Sequence, residues 1–104
     1  MPTAEVSKII NNLTSKLRKN NFSFSEVYLF GSYAQGRQNN FSDIDVAIIS
    51  QEMKSNYEQK LDFLHKIGFS VSDQLDIHAF TPEDFAVGYP PLANEVKKSG
   101  YRIV

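Results

Sequence analysis

The sequence predicts one α/β (α+β) domain, spanning residues 1–104, in which helices pack mainly on one face of a small mixed β-sheet. Three observations lead to this prediction. With 104 residues, 41% of them hydrophobic, the chain can bury one modest core. Apolar runs of strand length alternate with segments whose apolar residues recur at helical spacing. The glycine pattern G-x-G-x-x-G does not follow the first strand, which argues against a doubly wound dinucleotide-binding domain.

The first part of the chain predicts one helix and two strands. Thr3 caps the helix, and Asn20 and Asn21 end it. Two strands follow, Glu26–Phe30 and Asp43–Ile49, with a turn and a polar loop between them. The apolar positions that recur at helical spacing are Val6, Ile9, Ile10, Leu13 and Leu17.

The second part predicts three helices around a third strand. A helix from about Met53 to Ile67 has Gly68 as its C-terminal stop. Thr81 caps a short helix that has proline at its first position. In chain order, the remaining elements are a strand at Leu75–Phe80, a last helix at Leu92–Lys98 closed by Gly100, and a tail or brief fourth strand at Tyr101–Val104.

Composition excludes several classes of protein. The net charge is −1 and the 11 Lys and Arg residues are dispersed, so we expect no extended nucleic-acid site. The chain has no cysteine, which excludes disulfides and thiolate metal sites. It shows neither a secretory signal pattern nor an apolar run approaching about 18 residues. We therefore expect no membrane association and a cytoplasmic location.

A Gly-Ser pair ends the first strand. Gly31 has no Cβ, so the backbone can turn sharply and bring its N–H groups close to anionic phosphate oxygens. Ser32 adds a hydroxyl to the same turn. Taken alone, the pair is more typical of an ordinary strand-ending turn. The carboxylates that follow favour the phosphate interpretation.

Asp43 and Asp45 lie two residues apart on the second predicted strand. Both side chains therefore leave one face, with their Cα atoms about 7 Å apart. Carboxylates this close repel each other, and a divalent cation between them replaces repulsion with coordination. The alternative is a polar face on an edge strand, although aspartate is a poor strand former. Asp76, in the apolar third strand, is the candidate third carboxylate, and Asp73 in a predicted loop is its competitor.

The segment Leu29–Ile49, LFGSYAQGRQNNFSDIDVAII, resembles the signature of the minimal nucleotidyltransferases, single-domain members of the DNA polymerase beta-like superfamily. The resemblance implies the polymerase beta-like nucleotidyltransferase fold. It also implies transfer of a nucleoside monophosphate from a nucleoside triphosphate, with ATP the expected donor, to a hydroxyl group. In the implied mechanism, Asp43 and Asp45 bridge two Mg²⁺ ions, while Asp76 holds the ion nearer the attacking hydroxyl and helps to deprotonate it.

The same resemblance predicts the nucleotide-binding residues as Gly31, Ser32 and Arg37. Many relatives carry an arginine directly before the second glycine of the signature, where this chain has Gln35. Arg37 follows that glycine, so it either replaces the usual contact with the triphosphate or is solvated.

Two histidines require separate interpretation. His78 lies two residues from Asp76 on the same predicted face, so it either lines the site or is an ordinary, partly buried strand residue. The second interpretation is the more common outcome for such a histidine. His65 is predicted to lie on a helix surface.

We expect a second chain to complete the site. The predicted face with the three aspartates also carries Ala47, Ile49 and Phe80, and an apolar patch beside an acidic site is typical of an interface. The resemblance implies that the partner is a helical HEPN-domain protein, with this chain as the antitoxin of a toxin–antitoxin pair. A homodimer is the other possibility. The alternative function is a weakly active or non-catalytic antitoxin that neutralises its partner by contact.

Overall fold

The computed structural model describes residues 3–34, 36 and 43–104, which form a mixed sheet and four α-helices. The helices are α1 (Ala4–Lys19), α2 (Tyr57–Val71), α3 (Pro82–Val87) and α4 (Pro91–Ser99). The strands are β1 (Glu26–Phe30), β2 (Ile44–Ile49), β3 (Leu75–Phe80) and β4 (Tyr101–Arg102). A short 3-10 helix, Gln51–Lys54, follows β2.

The four strands lie in the order β3-β2-β1-β4. β1 runs antiparallel to both β2 and β4, whereas β2 and β3 are parallel and are joined through α2. In the register of the sheet, Phe30 lies opposite Asp45, and Asp45 lies opposite Asp76. The predicted mixed α/β sheet is confirmed, and the C-terminal segment forms the brief fourth strand rather than a tail.

The main core lies between the sheet and the two longer helices. Thr3 caps α1 through its hydroxyl, which accepts a hydrogen bond from the backbone N–H of Val6 at 3.2 Å. Alternate residues of the strands point toward α1 and α2, as the period of two requires. The fully buried residues of this core include Ile10, Leu13, Leu17, Val27, Leu29, Val46, Ile48 and Leu64.

The opposite face of the sheet is covered in part by α3 and α4. Ala47, Ile49 and Phe80 are buried there against Phe85 of α3 and Val96 of α4. The prediction that these three strand residues form an exposed apolar patch is therefore wrong. The two short helices fold back over the sheet because burying Phe85 and Val96 removes apolar area from water.

The boundaries of α2 differ from the prediction at both ends. Residues from Gln51 form a separate 3-10 helix, and α2 begins at Tyr57. Gly68 does not stop the helix, which continues to Val71. Its role is packing instead, because a Cβ on this buried glycine would lie 2.5 Å from Cδ1 of Ile77. Glycine thus lets α2 approach β3 closely.

We expect Gly68→Ala to lower the free energy of unfolding by about 1 kcal/mol, and Ile77→Val to remove that loss. Overpacking costs about 1–3 kcal/mol, whereas alanine gains about 1 kcal/mol over glycine in helix propensity. Ile77→Val deletes the Cδ1 atom that the new methyl group would meet. Urea denaturation of both single variants, the double variant and the parent measures this coupling. An equal effect of Gly68→Ala in both backgrounds would contradict the close contact.

No helix among the described residues is long and apolar enough to cross a membrane.

Candidate active site

Asp45 and Asp76 lie side by side near the start of the two parallel strands. Their side chains leave the sheet face opposite α1 and α2, because Val46 and Ile77 next to them point into the main core. The Asp45 side chain is 25% exposed and that of Asp76 is 48% exposed, so both carboxylates are reachable from solvent. The structure thus brings together two of the three predicted carboxylates.

The turn after β1 lies against this carboxylate pair. Gly31 has a φ of +74°, a left-handed conformation that L side chains rarely adopt. A Cβ at this position would overlap the carboxylate of Asp45. Tyr33 and Ala34, which follow in the same turn, pack against the main core and so hold the turn in place. The predicted proximity of the Gly-Ser turn and the acidic pair is therefore present, with Ser32 directly after the contact.

Four other residues considered in the sequence lie either away from this carboxylate pair or outside the described residues. Asp43 lies one residue before β2 rather than in it, and it is exposed. Asp73 is exposed in the turn between α2 and β3, three residues before Asp76. Arg37 lies outside the described residues, as does Gln35. The assignment of Asp43 and Arg37 to the site remains a prediction.

Asp45 has a perturbed proton affinity. Burial, followed by repulsion from the Asp76 carboxylate, raises the pKa of Asp45 from its ordinary 3.8 to about 6. His78 acts in the opposite direction and lowers this pKa, while the charge of Asp43 raises it further. The carboxylates of the site therefore repel one another, and binding of a proton or a cation reduces this repulsion.

We expect the metal-free protein to lose about 1–2 kcal/mol of stability through Asp45 as the pH rises from about 4 to about 6. The folded state binds this proton more tightly than the unfolded state, so stability falls as the proton leaves. Asp45→Asn removes the dependence, and the variant should be the more stable protein at pH 7.5. Denaturation of both proteins in EDTA across this pH range measures the difference. A variant that is less stable than the parent at pH 7.5 would contradict the assignment.

His78 lies in the site. Its Nε2 is 3.4 Å from Oδ2 of Asp76 and 4.0 Å from Oδ1 of Asp45. Its ring meets the ring of Phe30 edge-on, with centroids 5.3 Å apart. The sequence analysis offered this placement as one of two interpretations, because the alternation of β3 puts His78 on the same face as Asp76, but it preferred an ordinary strand histidine.

The residues present fit a divalent cation. One ligand atom each from Asp45, Asp76 and His78 lies within 4.8 Å of the other two. Carboxylate oxygens are the ligands that Mg²⁺ and Mn²⁺ prefer. Burial and, second, repulsion from the Asp76 carboxylate raise the pKa of Asp45, and both effects disfavour its negative charge in the absence of a cation. A cation at this cluster would remove that repulsion.

A cavity of about 240 Å³ adjoins the cluster along the outer edge of β3, the end strand of the sheet. Asp76 and His78 contribute to its lining, together with the apolar side chains of Leu61 and Leu92. Tyr57, also in the lining, donates a hydrogen bond of 2.7 Å from its hydroxyl to the carbonyl of Ala79 on this edge. Sequence reasoning did not find this cavity, because it forms only where α2, β3 and the start of α4 meet.

A mixed sheet with paired carboxylates beside a glycine turn is the arrangement of a nucleotidyltransferase domain. The model of the family described as "Polymerase beta, Nucleotidyltransferase" matches residues 11–104, and the chain belongs to this family. The chain is also similar to the protein adenylyltransferase MntA of Shewanella oneidensis strain MR-1. The two are 31% identical over 67 residues, which cover 64% of this chain and 48% of MntA. The chain thus spans about half the length of this curated relative.

Solved structures agree with this family. A crystal structure described as the toxin-antitoxin with AMP-PNP has a TM-score of 0.64 and 26% identity, covering 92% of this chain and 70% of that one. A mutant of the toxin-antitoxin MntA-HpeT has a TM-score of 0.64 and 25% identity, covering 91% of this chain and 71% of that one. A Sulfolobus solfataricus protein of solved structure, 19% identical with a TM-score of 0.65 over 80% of this chain and 73% of that one, shares the fold. The predicted resemblance to the minimal nucleotidyltransferases is confirmed.

Proposed function

We propose that this chain is a Mg²⁺-dependent nucleotidyltransferase that transfers AMP from ATP to a hydroxyl group of a partner protein. The observation that carries the proposal is the meeting of Asp45 and Asp76 beside the Gly31 turn, in a chain of the polymerase beta nucleotidyltransferase family. The cytoplasm is the compartment that we propose, since Mg²⁺ and ATP are both abundant there. The chain would act as a single domain.

The protein's own residues have distinct tasks in the proposed reaction. The hydroxyl oxygen of the acceptor attacks the α-phosphorus of ATP, the bond from that phosphorus to the bridging oxygen breaks, and pyrophosphate leaves. The turn at Gly31 and Ser32 would bind the triphosphate through backbone N–H groups and the serine hydroxyl. Asp76 borders both the carboxylate cluster and the adjacent cavity, so it is positioned to take the proton of a hydroxyl that enters from that cavity.

Asp45 and Asp76 would hold the cation, and Asp43 is the third carboxylate that we propose for it. A divalent cation bound there neutralises charge on the phosphates and lowers the pKa of the acceptor hydroxyl. Asp43 already acts on the site, because its negative charge contributes to the raised pKa of Asp45. Arg37 is the proposed further contact to the triphosphate.

The partner that we propose is a helical HEPN-domain toxin, with this chain as its antitoxin. Support comes from the similarity to MntA, a protein adenylyltransferase, and to two toxin-antitoxin structures, one of which contains AMP-PNP. The cavity beside Asp76 is where the acceptor side chain would approach. The patch of Ala47, Ile49 and Phe80 has no part in this contact, because α3 and α4 bury it.

Calorimetric titration of ATP into the chain with Mg²⁺, alone and with the HEPN protein bound, tests the proposal. We expect micromolar binding that needs the metal, is lost in Asp45→Ala, and is accompanied by transfer of label from α-labelled ATP to the partner. Absence of both binding and transfer in the complex would contradict the proposed activity. Neutralisation of the toxin by Asp45→Ala as complete as that by the parent would instead support an antitoxin that acts by contact.

A further inference from the structure

We propose that His78 adds a nitrogen ligand, beside the carboxylates, to the metal bound by Asp45 and Asp76, and that this imidazole makes the site prefer Mn²⁺ to Mg²⁺. The inference rests on the proposed function in one respect, namely that Asp45 and Asp76 bind a divalent cation. It differs from the pattern that the sequence predicted, in which all the protein ligands are carboxylates.

The distances around Nε2 of His78 fit a shared ion better than a hydrogen bond. Neighbouring ligands of an octahedral ion with bonds of about 2.1 Å lie about 3 Å apart, and opposite ligands about 4.2 Å apart. The separations of 3.4 Å to Asp76 Oδ2 and 4.0 Å to Asp45 Oδ1 fall between these limits. Both exceed the usual N–H···O range, which ends at about 3.2 Å. The nitrogen is therefore near both carboxylates, at distances longer than those of a usual hydrogen bond.

Packing contributes to the direction of the imidazole. In the register of the sheet, His78 lies beside Ala47, whose small side chain leaves room for the ring to extend across β2. The ring reaches Phe30 on the far side of β2 and meets it edge-on at 5.3 Å. This contact holds Nε2 over the row that Asp45 and Asp76 occupy. A ligand that is oriented before the ion arrives loses little rotamer entropy on binding.

The chemical consequence is a change in metal preference. Imidazole is a common ligand of first-row transition metals, whereas Mg²⁺ is bound by oxygen and keeps several waters. A nitrogen ligand therefore adds more to the affinity for Mn²⁺ than to that for Mg²⁺. We expect His78→Phe, which keeps a ring against Phe30, to weaken Mn²⁺ binding about tenfold and to change Mg²⁺ binding less than about twofold.

Electron spin-echo spectroscopy of bound Mn²⁺ tests the ligand directly. The chain has two histidines, so labelling histidine with ¹⁵N leaves His65 as the other source of an imidazole signal. His65 lies on α2, and its Nε2 is 2.9 Å from the carbonyl oxygen of Ile77, outside the metal cluster. His65→Gln is therefore the matched control. We expect a ¹⁵N coupling to Mn²⁺ in the parent and in His65→Gln, and its absence in His78→Phe.

The outcomes separate this inference from the proposed function. Mn²⁺ that binds without a nitrogen coupling, or with a coupling that disappears in His65→Gln, would overturn the role of His78 and leave the proposed transferase intact. No Mn²⁺ binding at all would also overturn it, while the ATP titration reports on the transferase separately. If His78→Phe fails to fold, the ¹⁵N couplings of the parent and of His65→Gln still show which histidine binds Mn²⁺.

Discussion

Asp76→Asn is expected to lower AMP transfer about 10³-fold while leaving the protein folded and slightly more stable. The proposed role of Asp76 combines metal binding with acceptance of the hydroxyl proton, and removal of either contribution costs about 10²–10⁴-fold in comparable sites. The same carboxylate repels Asp45 and contributes to its raised pKa. Its removal therefore relieves repulsion in the metal-free protein. Initial rates of label transfer from ATP, together with urea denaturation in EDTA, measure both effects.

Asp73→Asn is the matched control for this variant. Asp73 lies three residues earlier, carries the same charge and is exposed in the turn before β3. Both variants raise the net charge of the chain by one, so a general effect of charge on ATP or partner binding would appear in both. We expect Asp73→Asn to keep the parental rate within about twofold, as is usual for surface substitutions. Equal loss in the two variants would contradict the assignment of Asp76.

The meeting of Asp45 with Asp76, which the resemblance to the minimal nucleotidyltransferases implied, depends on two local properties. The alternation of side chains in a strand fixes which face each aspartate occupies. The helix between the two strands predicts a parallel crossover, which makes the strands neighbours. His78 follows from the same alternation, but its side chain reaches the carboxylates only because Phe30 and Ala47 shape its surroundings. The approach of His78 to the carboxylates therefore depends on the register of three strands, which no local sequence pattern predicts.

The features that sequence reasoning predicted wrongly depend on contacts between distant elements. A glycine at position 68 is typical of a helix C-terminus, yet in the structure Gly68 lies within α2 and allows this helix to pack closely against β3. Glycine is used for both purposes, and only the position of Ile77 distinguishes them. The patch of Ala47, Ile49 and Phe80 is buried because Phe85 of α3 packs over it. A helix of six residues is too short for its amphipathic pattern to predict this contact.

Gly31→Ala is expected to lower AMP transfer at least about 100-fold, with a loss of stability of only about 1–2 kcal/mol. The positive φ of Gly31 accounts for that stability loss, since an L residue in the left-handed region costs about this amount. The larger effect on activity has a separate cause. The new Cβ would occupy the position of the Asp45 carboxylate, which must then rotate away from Asp76 and the proposed metal. Rates of label transfer and urea denaturation measure the two quantities.

Gly36→Ala separates these two causes. Gly36 has a similar φ of +70°, but a Cβ there would meet no heavy atom of the described residues within 4 Å. This variant should therefore show a comparable loss of stability and keep its activity within a few-fold, because only the conformational cost applies. Activity lost equally in both variants would mean that the turn acts through its backbone flexibility. Activity lost only in Gly31→Ala would mean that the glycine is required because the Asp45 carboxylate needs the space that a side chain would fill.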